Sequence, residues 1–88
     1  MQVENMTSRK GNKVSNQFII RDRDNGTVYF QSYARIIVKQ ENGKTYLDTS
    51  YWDYSKTTGK YRNLFLCENK AETLKKIESG EYILTDLN

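Results

Sequence analysis

Two Asn-Gly pairs, Asn25-Gly26 and Asn42-Gly43, each lie between runs of β-branched and aromatic residues. Phe18-Ile19-Ile20 and Val28-Tyr29-Phe30 flank the first; Ile36-Ile37-Val38 and Thr45-Tyr46-Leu47 flank the second. Asn and Gly accept the positive φ angles of a two-residue type I′ turn, so such a pair is the strongest short-range signal for a hairpin. Two hairpins in tandem, connected through Ser32 to Arg35, predict a four-stranded antiparallel meander. Alternation at Phe18 and Ile20, Val28 and Phe30, Ile36 and Val38 supplies its apolar face.

After Tyr51 the period changes. Ser55 is an N-cap, and Tyr61, Leu64 and Phe65 at i, i+3 and i+4 predict a helix over 55–67, against the low propensity of Gly59 and its two Thr neighbours. Asn69 with Glu72 three residues on forms a capping box for a second helix, whose face is Ala71, Leu74 and Ile77 and whose end is Ser79-Gly80. Tyr82 to Thr85 reads as a last short strand at a sheet edge. The predicted fold class is α+β: a small antiparallel sheet packed against two short helices, as one domain over 17–88. Residues 1–16 are rich in Asn, Ser, Lys and Gly and too polar to offset their ordering entropy, so they read as a flexible basic arm.

At 88 residues there is room for one core only. Hydrophobic residues are sparse at 36%, but 12% aromatics compensate, because each large ring buries more surface than an aliphatic side chain. Cys67 is the single cysteine, which rules out an internal disulfide and points to a reducing cytoplasm. No apolar run approaches the ~18 residues of a membrane span, and residues 1–16 lack the apolar core of a signal peptide. The sequon matches Asn5-Met6-Thr7 and Asn25-Gly26-Thr27 carry no meaning in such a compartment.

The chain has no His, so a Ser-His-Asp or Cys-His arrangement cannot be built and the commonest transition-metal ligand is missing. Thr57-Thr58-Gly59-Lys60 resembles a phosphate loop only in part: Tyr54 stands where the first Gly belongs and Tyr61 where Ser or Thr belongs. Asp22, Asp24, Asp48 and Asp53 could hold Mg²⁺ in principle, but turn capping and a helix-start position account for them better. The expectation is a non-enzymatic protein with no catalytic residue, metal site or cofactor.

What remains is an aromatic and basic stretch. Residues 51–66 hold the only Trp and three of the seven Tyr, and Lys56, Lys60 and Arg62 follow Asp53 with no further acid. Lys56, Lys60 and Asn63 fall at i, i+4 and i+7, a polar helix face that phosphates could meet, with Arg62 off that line. Tyr51, Trp52 and Tyr54 are residue types that either stack on bases or anchor a protein interface. In so small a domain the same aromatics also serve as core, and exposed Lys and Arg as a solvated surface. The net charge of +3 favours nucleic acid only weakly by itself.

Tyr29-Phe30-Gln31-Ser32-Tyr33, the run from Trp52 to Leu66 and the closing Ile77-Glu78-Ser79-Gly80-Glu81-Tyr82 resemble a family of small phage and prophage proteins of unknown function, over about residues 28 to 87. The arm before Gln17 falls outside the resemblance. It implies a mobile-element accessory protein in a bacterial cytoplasm and carries no assigned functional residues. The first expectation is a nucleic-acid-binding module, DNA or RNA, using the 55–67 helix. The second is an inhibitor or adaptor docking on a host or defence protein through the aromatic cluster. Either would act as a monomer or as a homodimer.

Overall fold

A computed structural model describes residues 1–88 and contains, in chain order, β1 (Gln2–Thr7), β2 (Lys13–Asp22), β3 (Thr27–Ser32), β4 (Arg35–Glu41), β5 (Lys44–Asp48), α1 (Lys56–Leu66), α2 (Lys70–Ser79) and β6 (Tyr82–Thr85). The strands form one six-stranded sheet in sequence order, antiparallel from β1 to β5. β6 runs parallel to β5. A parallel neighbour cannot be reached through a tight turn, and the α1–α2 pair supplies the crossover that returns the chain to the same edge.

The two Asn-Gly hairpins form, with different turns. Asn42 and Gly43 both take positive φ, 53° and 75°, and join Glu41 directly to Lys44 in the two-residue turn the sequence predicts. At the first, Asp22 pairs with Thr27 across a four-residue loop in which Gly26 alone has positive φ. The Asp22 carboxylate there accepts a 2.8 Å hydrogen bond from the Asn25 side chain, which holds the longer loop closed.

Residues 1–16 are not a flexible arm but β1 and the start of β2. An edge strand needs little apolar surface, because its ladder and cross-strand pairs supply the order. The Asn5 side chain donates to the Val14 carbonyl at 3.0 Å, Glu4 meets Arg21 at 3.1 Å, and Met6 is buried in the core. The predicted apolar face is also corrected. Ile19, not Phe18 or Ile20, pairs with Phe30 and packs against the core. A bulge in β4 sets Phe30 opposite Val38 and Gln31 opposite Ile36, leaving Ile37 extra; Ile37 and Val38 are both fully buried while Ile36 is not.

Both helices lie on one side of the sheet. Phe65 of α1 stacks on Phe30 with ring centroids 5.7 Å apart, and the Thr58 hydroxyl hydrogen-bonds that of Ser32 at 2.9 Å. Tyr61 and Phe65 of the predicted α1 face and Ile77 of the predicted α2 face do turn to the core, while the other predicted positions do not. In α1 Thr58, Tyr61 and Arg62 are buried and Leu64 is exposed; in α2 Thr73 is buried while Ala71 and Leu74 are exposed. The caps are as read: Ser55 accepts from the Thr58 amide, Asn69 and Glu72 form the reciprocal box, and Gly80 closes α2 with φ of 83°.

Buried carboxylates hold the loops and α2 in place. Asp48 accepts from the amides of Ser50, Tyr51 and Leu87 and from the Asn88 side chain, tying the loop after β5 to the residues after β6. Glu68, with its side chain 3% exposed, accepts from Lys76 and from the Tyr82 hydroxyl, each at 2.7 Å, and from Thr73. Burial works to raise both carboxyls, but these donors together outweigh it and hold both below their ordinary values. Burial of the phenol, then its bond to Glu68, pushes Tyr82 up to about 12.

A carboxyl whose folded pKa is depressed contributes stability that is complete above its unfolded value and lost as pH falls through the folded one; a raised group behaves in the mirror sense. Urea midpoints should therefore be flat through neutrality and fall at both ends. The acid loss should begin below the ordinary values of 3.8 and 4.5, and the alkaline loss should run between 10.0 and about 12. Tyr82→Phe should lower stability by about 2 kcal/mol at neutral pH and blunt the alkaline loss. An unchanged alkaline limb in that variant would remove Tyr82 from the account.

Candidate functional site

Most of the residues singled out by charge and aromaticity gather around α1, in different roles. Arg62 is 1% exposed and serves the fold rather than a ligand. Its guanidinium donates to the Trp52 carbonyl at 2.7 Å, to Asp53 Oδ1 at 3.0 Å and to Asn63 Oδ1 at 2.9 Å, and lies 5.1 Å from the centre of the Trp52 ring. Both terminal nitrogens are engaged inside the protein and Nε is buried without a partner, so Arg62 is placed to brace α1 rather than to reach solvent. Asn63 accepts from the same guanidinium through Oδ1 and lines the groove.

The aromatic cluster is largely absorbed as well. Tyr51 and Trp52 are part-buried and pack against the core, with Arg35 lying 4.8 Å over the Tyr51 ring. Tyr54 meets Tyr51 edge-on with centroids 5.6 Å apart and is 48% exposed. Of the three, Tyr54 alone presents most of a face to solvent.

Lys56 and Lys60 are exposed, one turn apart on α1. They line an open groove of about 1230 Å³ whose opposite wall is Ser8, Arg9 and Lys10 at the tip of the β1–β2 hairpin. That tip is shaped by Gly11, with φ of 80°, whose amide donates to the Ser8 carbonyl at 2.9 Å. Sequence reasoning missed this half of the site because it set residues 1–16 apart as an arm; the basic Arg9-Lys10 pair before a Gly was the available signal.

The groove's electrostatics follow from which charges are already paired. Six cations line it, Arg9, Lys10, Lys56, Lys60, Arg62 and Lys70, with two acids, Asp53 and Glu68. Asp53 is taken by Arg62 at 3.0 Å and Lys70 at 2.6 Å, and Glu68 by Lys76. Burial works to raise the Asp53 carboxyl, but Lys70 and Arg62 outweigh it and hold it low. Four cations, the six less Arg62 and Lys70, have no carboxylate within 4.0 Å. The first turn of α1 holds no acid either, so its amide dipoles add to the positive field beside Lys56. The arrangement can hold a polyanion; it brings no three metal-ligating side chains together.

Residues 1–81 match a described protein family. The chain belongs to the family of unknown function DUF8033. The match starts at residue 1, so the DUF8033 pattern takes in the β1–β2 hairpin and with it both walls of the groove. The matched residues begin further toward the N-terminus than the motif resemblance, which covered about residues 28 to 87. No curated protein and no solved structure matches the chain. No helix is long and apolar enough to cross a membrane.

Deleting one partner of a buried ion pair costs about 3–5 kcal/mol, and Asp53 is part-exposed, so Arg62→Ala should cost about 3 kcal/mol. Lys56→Glu and Lys60→Glu should stay within about 0.5 kcal/mol of the parent. Chemical denaturation of the three variants measures this. Equal stability in all three would show that Arg62 does not brace α1.

Proposed function

We propose that this DUF8033 protein is a non-enzymatic nucleic-acid-binding module that holds the phosphate backbone in the groove between α1 and the β1–β2 hairpin tip. The observation that carries the reading is the convergence of four uncompensated cations, Arg9, Lys10, Lys56 and Lys60, from segments some fifty residues apart, onto one concave surface whose acids are already paired. A solvated surface needs no such segregation of charge; a phosphate backbone does. Tyr61 lines the groove but is 6% exposed, so binding rests on phosphate contacts more than on base stacking. Motif resemblance to small phage and prophage proteins supports a mobile-element accessory role in a bacterial cytoplasm.

A protein-docking role through Tyr51, Trp52 and Tyr54 has less behind it. Its one specific support is the 48% exposure of Tyr54, since the other two rings pack on the core.

Fluorescence anisotropy with labelled DNA and RNA at several salt concentrations tests the proposal. Four phosphate contacts predict a slope of log K against log salt of about −3 to −4. Lys56→Glu combined with Lys60→Glu should lower affinity more than tenfold and reduce the slope by about 2. Salt-independent binding, or none to either nucleic acid, would overturn it.

A further inference from the structure

The side of the sheet away from the helices has no covering element, yet it is not a polar face. Strand register places Val3, Ile20, Tyr29, Tyr46 and Ile83 in one row across five of the six strands, interrupted only by Lys39 of β4. Phe18 and Ile36 occupy the adjacent row, with Asn5 and Gln31. None of these seven apolar side chains packs against the core cluster, which draws Ile19, Phe65, Leu66 and Ile77 from the helix side instead. Val3 and Ile83 are 59% and 38% exposed, and the others are part-exposed. A contiguous apolar patch spanning a whole sheet face marks an interaction surface.

Its charge decides among occupants. The charged side chains that the register puts on this face are Lys13, Lys39, Lys44, Asp22, Glu41 and Asp48, which sum to zero, and Lys39 already meets Glu41 at 3.7 Å. The net charge of +3 therefore lies wholly elsewhere on the molecule. Lys13 and Lys44 have no carboxylate within 4.0 Å, but the balanced face offers neither the net positive field a nucleic acid needs nor a complement to a strongly charged protein. A second copy of this chain must avoid opposing its own positive charge, and this neutral face is where it can do so.

The dimensions agree. Five strand spacings of about 4.8 Å by three residue rows about 7 Å apart give a face on the order of 500 Å². Two such faces approach the ~1,000 Å² at which a specific interface begins.

We infer that the protein forms a two-fold dimer by packing this sheet face against the same face of a second copy, as a sandwich with sheets about 10 Å apart. The two α1 grooves then point outward on opposite sides, unobstructed. The inference stands independently of what the grooves bind.

Sedimentation velocity on the full chain, from about 1 µM to about 1 mM, tests it. Mass should rise with concentration from 10.4 kDa toward twice that value. Tyr29→Lys should hold the protein monomeric throughout while its far-UV circular dichroism and salt-dependent nucleic-acid binding stay as in the parent. If Tyr29→Lys unfolds, Ile83→Glu at the sheet margin serves instead, with the same expected loss of dimer. A parent that stays monomeric at every concentration overturns the inference. So does a dimer that survives a folded variant of either kind, which would place the contact on the open β1 edge.

Discussion

The Arg62 guanidinium is the interaction on which the rest of this small domain's working surface depends. It sits 1% exposed between the loop after β5 and the body of α1, bonded to Trp52, Asp53 and Asn63 and stacked near the indole. A buried cation is costly unless it is paired; Nε has no partner here, but the bonds made by the two terminal nitrogens offset that cost and fix three things at once. It sets the rotation of α1, so that Leu64 faces the groove and Arg62 the interior. It pins the 49–55 loop, whose other anchor is the Asp48 carboxylate. And with Lys70 it occupies Asp53, the acid nearest to Lys56 in sequence, leaving the groove's remaining cations uncompensated.

The sheet is correspondingly two-sided. Its helix side carries the core and, along the outer surface of α1, the basic groove; its open side is neutral and apolar. Phe18, Ile20 and Ile36 look like core residues by composition, but register gives them to the open side, while Ile19 and the bulged Ile37 go inward. In an 88-residue chain with 36% hydrophobic residues, that many large side chains left off the core is a considerable diversion of apolar surface. Association accounts for it without a larger core.

What the sequence made legible was what short-range physics controls. The hairpins at the two Asn-Gly pairs, the Ser55 and Asn69 caps and the Gly80 stop act over a few residues and all appear, although only Asn42-Gly43 forms the two-residue turn. The misses share a cause: each needed a partner distant along the chain. The first sixteen residues look disordered until Asn5 finds Val14 and Glu4 finds Arg21. Arg62 and Thr73 join the buried faces of α1 and α2 because they find Asp53 and Glu68, pairings that helical periodicity does not encode. Of the residues the sequence singled out, Lys56 and Lys60 lie exposed in the groove and Arg62 is buried. Arg9 and Lys10 lie in the stretch read as a basic arm and could not be placed opposite α1 before the hairpin's register was known.

The central claim is that a phosphate backbone lies between the hairpin tip and α1. Amide chemical-shift mapping of isotope-labelled protein titrated with a short oligonucleotide at low salt reads it residue by residue. The account predicts shifts concentrated in residues 8–13 and 56–64, with the open sheet face around Tyr29 and Tyr46 unmoved. Shifts centred on that face, or none at saturating oligonucleotide, would contradict it.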